Sequence, residues 1–248
     1  MIRVEDLHRS FDGLEVLRGV SFQIERGEIL ALIGRSGYGK SVLLKHIAGL
    51  MRPDQGRVFI DGEDICCLRG KALERLRSRF AFLFQNGALF DSLTVFENVA
   101  FPLREKTKLS DREIREKVLS ELDQVGLAGA EHKYPGEISG GMIKRAALAR
   151  ALVREPEVML FDEPTTGLDP IIAHAILKLI DSCHKRLNFT GIIVTHQIPT
   201  IFDIVQRVAM LHEGVILITG SPEEICSSRD PIVKQFINGD LEGPLDYH

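Results

Sequence analysis

Short, wholly apolar runs alternate along this chain with longer stretches in which apolar residues return every three or four positions. Residues 29–33, 80–84, 158–161 and 192–194 form the short runs, each closed by turn-forming or charged residues. Runs of that length without polar alternation predict strands covered on both faces, as in a parallel sheet. Antiparallel hairpins are expected near the start and over 208–218, around Glu213-Gly214. The longer stretches read as helices. Ser110 and Glu113 make a capping box ahead of Ile114, Val118, Leu122 and Val125, which fall on one face. Asp169-Pro170 supplies a capping carboxylate and a proline at the first helical position for a helix over 171–187. Further helical patterns cover 42–50 and 146–153.

Strands alternating with helices predict an α/β protein with a mainly parallel sheet and an antiparallel β subdomain. The helix-rich segment 85–154 lies between two strand-rich parts and reads as an inserted helical subdomain. The expected organisation is therefore 1–84, 85–154, 155–236, and a short irregular extension over 237–248. Tyr247 is a candidate anchor within that extension.

Composition narrows the possibilities. The chain has 248 residues, 44% hydrophobic and 27% charged, enough to bury a substantial core. Its formal net charge of −4 gives no basic field to draw it to nucleic acid, and no nucleic-acid partner is expected. Arg75, Arg77 and Arg79 read as a solvated face. Cys66, Cys67, Cys183 and Cys226 form no CxxC pair and are expected to be reduced thiols. Met1 to Ser10 lack the apolar core of a signal peptide, and nowhere do 18 apolar residues run together. Any action on a membrane is expected to pass through a partner.

Three segments carry candidate chemistry. Gly34-Arg35-Ser36-Gly37-Tyr38-Gly39-Lys40-Ser41, followed by Val42, fits the phosphate-loop pattern GxxxxGK[ST] between a strand and a helix. Glycines let successive N–H groups turn inward, and the helix offers its positive end to the phosphates of ATP. Lys40 would reach the β- and γ-phosphates, and the Ser41 hydroxyl would ligate Mg²⁺. The run 158–161 releases Asp162 and Glu163 at its end. Asp162 suits a Mg²⁺ partner and Glu163 the group that polarises an attacking water. Ser139-Gly140-Gly141, ahead of an alanine-rich helix, makes a second anion cradle. One nucleotide does not obviously need two.

In order along the chain, these segments resemble the ABC-transporter ATPases, whose cores are of the RecA-like P-loop NTPase type. The resemblance spans nearly the whole sequence. It implies that Ser139, Gly140 and Gly141 close in trans over the γ-phosphate held by a second copy, giving an ATP-sandwich homodimer. It further implies that Asp169, in Thr166-Gly167-Leu168-Asp169, lies at the dimer seam, and that His196 is the switch histidine at the γ-phosphate. Gln85 matches the glutamine that senses Mg²⁺ and water and couples to integral-membrane permease subunits. Phe11 is similar to the aromatic that stacks on adenine. The usual Leu-Ser-Gly-Gly-Gln has Ile138 and Met142 at its ends here, and Tyr38 stands where a small residue is usual.

Residues 41–44 and especially 84–105, together with Ser139-Gly140-Gly141-Met142 and residues 144–151, resemble the Mla-type branch. That branch moves phospholipids between bacterial membranes with a permease and a lipid-binding MCE-domain protein, and a small regulatory subunit is a further expected partner. The resemblance implies a place at the cytoplasmic face of the inner membrane, peripheral through the permease. Another cargo, a soluble non-transport ABC protein and a P-loop kinase remain the alternatives.

Overall fold

The computed structural model describes residues 1–245, so Tyr247 lies outside the described residues. By its contacts the chain divides into Met1–Ser78 with the segment from Thr190 onward, and Arg79–Phe189.

The first unit opens with β1 (Ile2–Phe11) and β2 (Leu14–Ile24), joined by Asp12-Gly13. Both turn residues have positive φ, 49° and 84°, as a tight hairpin turn requires. In β1, Ile2 and Val4 are buried on one face, then the register slips at Asp6 (φ 45°) and brings Leu7 inward. The slip is a bulge, and it explains why strict alternation fails there. Next come β3 (Ile29–Ile33), α1 (Lys40–Ile47), β4 (Gln55–Ile60), β5 (Glu63–Asp64) and α2 (Gly70–Arg77). β2, β1, β4 and β5 form an antiparallel sheet in that order. All five β3 side chains are buried, each stabilising the core by about 1.5–3 kcal/mol for a residue the size of leucine or isoleucine.

The second unit contains β6 (Phe80–Leu83), α3 (Val95–Lys106), α4 (Asp111–Gln124), α5 (Gly140–Leu152), β7 (Val158–Asp162) and α6 (Pro170–Leu187). β6 and β7 pair in parallel, Phe80 against Val158 through Leu83 against Phe161. Val99 and Leu103 of α3, Val118 and Leu122 of α4, and Ala146 and Ala149 of α5 share one apolar core. The Ser110–Glu113 capping box forms as the sequence predicts, and a second joins Thr94 to Glu97.

The chain then returns to the first unit with β8 (Thr190–Val194), β9 (Arg207–His212), β10 (Val215–Gly220), α7 (Pro222–Cys226) and α8 (Pro231–Asn238). β3 pairs in parallel with β8 on one side and β9 on the other, and β10 is antiparallel to β9. The predicted strands and the 208–218 hairpin thus stand within a few residues of where the pattern puts them. α1 ends earlier than expected, because Gly49 turns left-handed (φ 66°) after Ala48. The arginine cluster is more engaged than a solvated face. Arg75 pairs with Glu63 at the surface, whereas Arg77 donates to the Gly49 carbonyl and Arg79 holds Glu157 at 2.8 Å. The four cysteines are free thiols.

Residues 239–245 have no regular structure, yet they are tied down. Gln235 is 3% exposed; its amide donates to the Leu245 carbonyl (3.1 Å), and its Oε1 accepts from the Leu245 N–H (2.7 Å). Replacing Gln235 by Leu strands two buried backbone groups and should cost about 1–3 kcal/mol in urea denaturation. Wild-type stability would show that water takes over those bonds.

Candidate functional site

The loop 34–41 leaves the C-terminal end of β3. Gly34 (φ 137°) lies so close to β9 that a Cβ there would collide with the Leu211 carbonyl oxygen. Gly39 (φ 95°) is the left-handed cap of α1, and a Cβ on it would sit 2.8 Å from Val16 of β2. α1 has no side-chain cap and no acidic residue in its first turn, so its positive end is turned toward the loop. Lys40 is buried and donates to the carbonyls of Gly34 (2.7 Å) and Arg35 (2.8 Å). This holds the ammonium inside the loop. Tyr38 is accommodated by turning edge-on to His212, ring centroids 5.4 Å apart.

His196 follows β8 and is exposed; because β3 and β8 are parallel, it emerges at the same end as Gly34. Phe11 stands at the β1–β2 hairpin, half-buried. The Arg9 guanidinium lies 4.6 Å from its ring centre and is held by Asp54 at 2.6 Å. The Ser10 N–H and Arg9 keep the Asp54 carboxyl below the usual range. Phe11, the loop 34–42 and His196 therefore belong to one unit.

The other unit carries the remaining candidates. Parallel pairing of β6 and β7 brings Gln85 and Asp162-Glu163 out at one end of adjacent strands. Glu163 adopts a left-handed conformation (φ 49°), a strain of about 1–3 kcal/mol that is common at functional positions. Its carboxylate accepts from the Thr166 hydroxyl at 2.8 Å. Ser139 is the N-cap of α5 and accepts from the Met142 N–H at 3.3 Å. The Ser-Gly-Gly turn is thus the first turn of the helix, and that helix also has no acid in its first turn. A Cβ on Gly141 would fall 2.9 Å from the Ile172 side chain at the start of α6, which would have to shift to admit it. Asp169 caps α6 through Oδ1, accepting from Ile171 and Ile172, and Ile171 beside it is 81% exposed. Ile138 and Met142 pack against the helical core, which accounts for apolar residues at those two positions.

Three residues of this unit were given no role by the sequence. Asn98, fully buried, donates to the Phe90, Leu93 and Thr94 carbonyls and accepts from the Phe90 N–H, fixing the turn that leads into α3. Lys144 donates to the Gln85 carbonyl, and Arg150 to those of Gly87 and Ala88. Burial lowers the Lys144 pKa, while the charge of Glu163 pulls it the other way. A cation inside the otherwise apolar face of α5 was the available signal.

The sequence matches the family described as "ABC transporter" over residues 17–166. The chain belongs to the ABC transporter family. It is 44% identical over 244 residues to the probable ribonucleotide transport ATP-binding protein mkl of Mycobacterium leprae, covering 98% of this chain and 70% of that one. It is 40% identical over 247 residues to the intermembrane phospholipid transport system ATP-binding protein MlaF of Haemophilus influenzae, covering all of this chain and 94% of that one. Among solved structures it is similar to the dimeric, post-hydrolysis ATP-binding cassette MJ0796 bound to ADP and Pi. That match has a TM-score of 0.82 at 30% identity, over 90% of this chain and 99% of the other. The chain is an ATP-binding ABC ATPase with the α/β P-loop NTPase fold, and its hydrolysis is coupled to transport.

Gly34→Ala should keep the circular dichroism of the wild type and weaken binding of a fluorescent ATP analogue tenfold or more, about 1.4 kcal/mol. Wild-type affinity would mean that β9 gives way without disturbing the loop.

Proposed function

We propose that two copies of this chain close around two ATP molecules and drive a phospholipid permease from the cytoplasmic face of the membrane. The observation that carries the dimer is the pair of helix N-termini, α1 and α5, each free of acidic residues in its first turn. Phosphate on the loop 34–42 of one copy would meet Ser139, Gly140 and Gly141 of the other, with Asp169 and exposed Ile171 at the seam. MJ0796, dimeric with ADP and Pi, supports that arrangement.

Within a site, Gly34, Arg35, Ser36, Gly37, Tyr38 and Gly39 present backbone to the phosphates, and Lys40 adds a charge. Phe11 would stack on adenine. Ser41, Asp162 and Gln85 provide the oxygen donors that suit Mg²⁺, which would neutralise charge on the phosphates. Glu163, held by Thr166, orients and polarises the attacking water, and His196 donates toward the γ-phosphate. Cleavage then removes the group bridging the two copies, and the dimer opens.

Opening would reach the permease through the loop after β6. Phe90 and Phe101 are 44% and 40% exposed with ring centroids 5.0 Å apart, an aromatic surface fit to receive a partner segment. No described helix is long and apolar enough to cross a membrane, in keeping with peripheral attachment. Phospholipid is the proposed cargo because the relative named for it matches this chain nearly end to end. An MCE-domain lipid-binding protein and a small regulatory subunit complete the proposed assembly, and the segment 85–154 is its proposed helical subdomain.

Glu163→Gln should lower kcat about 100-fold or more and leave a stable dimer when ATP is added, seen by light scattering. A monomer hydrolysing at the normal rate overturns the scheme. With the permease in liposomes, ATP should move labelled phospholipid; movement of ribonucleotide alone would overturn the lipid reading.

A further inference from the structure

α5 presents two cations to the loop that follows β6. Lys144, 6% exposed, donates to the Gln85 carbonyl. Arg150 donates to Ala88 at 2.7 Å and Gly87 at 2.6 Å, and its guanidinium lies 6.0 Å from the centre of the Phe90 ring. The two cations are six positions apart, about 9 Å along the helix axis. Between them the loop is pressed onto the helix: a Cβ on Gly87 would lie 3.3 Å from both Ala147 and Ile143. The carbonyls that Arg150 meets are aimed by two left-handed residues, Gly87 (φ 73°), which adopts that conformation freely, and Ala88 (φ 49°), whose Cβ makes it strained. Charge-assisted bonds to those carbonyls offset part of that strain.

We infer that Lys144 and Arg150 are positioning residues that clamp residues 85–88 onto α5, so that Gln85 and the Ser139-Gly140-Gly141 turn move as one piece. The inference rests on the proposed roles of Gln85 and of that turn, and extends them to a rigid link. α5 begins at the turn that would touch one copy's phosphate and holds, further along its length, the glutamine loop of its own copy. Closure felt at the turn is then delivered to Gln85 and to the aromatic surface at Phe90 without slack. Burying a lysine is costly unless its charge is well met, and helix surface positions ordinarily keep it in water. The clamp gives Lys144 a reason to be inside.

The test uses the full-length chain. Lys144→Met removes the donor, and Lys144→Gln keeps a neutral one; Arg150→Met and Arg150→Lys grade the second contact. Affinity for a fluorescent ATP analogue should stay within about twofold, while kcat falls about tenfold in each Met variant. The Lys144→Gln and Arg150→Lys proteins should recover much of the lost rate, a rescue that loss of packing alone would not give. Amide exchange over residues 85–90 should rise in the Met variants. If a Met variant does not fold, the Lys144→Gln and Arg150→Lys proteins decide through the same split. Undiminished kcat in either Met variant, or loss of affinity in step with kcat, overturns the clamp. An active Glu163→Gln protein would instead sink the reading of the site itself. A dead Glu163→Gln beside an active Lys144→Met sinks only the clamp.

Discussion

On the proposed reading, attraction between phosphate and the positive end of a helix is the interaction around which this molecule is arranged. The other helices show how the chain treats ends that need no ligand. α3, α4 and α7 carry a glutamate at the third position, closing capping boxes with Thr94, Ser110 and Ser221. α6 and α8 carry a capping aspartate followed by proline. In both arrangements a carboxylate of the chain itself already serves the N-terminus. α2 starts behind Arg69, whose guanidinium is engaged by the Cys66 and Leu68 carbonyls. α1 and α5, like α2, carry no acid at their N-termini, but they alone among the described helices follow a glycine loop and a Ser-Gly-Gly turn. On the proposed reading, the ends of α1 and α5 are the two that receive negative charge from outside.

Parallel strand pairs carry the loops. β3 with β8, and β6 with β7, each release two functional loops from one end, which is where ligands gather in parallel sheets. Direction of pairing thus decides which residues become neighbours. The buried runs fix the strands, and the strands fix Gly34 beside His196 in one unit, and Gln85 beside Glu163 in the other.

Much of this was legible in the sequence because it is local. The run 29–33 is apolar throughout because both faces are covered, and it becomes a strand with those same bounds. Capping at Ser110 and Asp169 involves neighbours two or three residues away, and both form. What escaped is long-range. Lys144 meets a carbonyl 59 positions back, and nothing within α5 announces which backbone it will touch. Asn98 looks like a surface residue until the turn at Phe90 folds over it. Tyr38 and Met142 depart from the usual pattern; in the fold one leans on His212 and the other packs against an apolar core.

The hairpin of β9 and β10 has a consequence for how damage to this protein is interpreted. Gly34 abuts the Leu211 carbonyl, Tyr38 leans on His212, and the Gly214 carbonyl accepts from the Arg18 N–H at 2.8 Å. A stretch far downstream in the sequence is therefore the wall behind the loop 34–41. A substitution there that lowers ATP affinity has moved a support rather than deleted a ligand contact. Families of such variants would be expected to share one phenotype, a loop that has lost its backing, however different the residues changed.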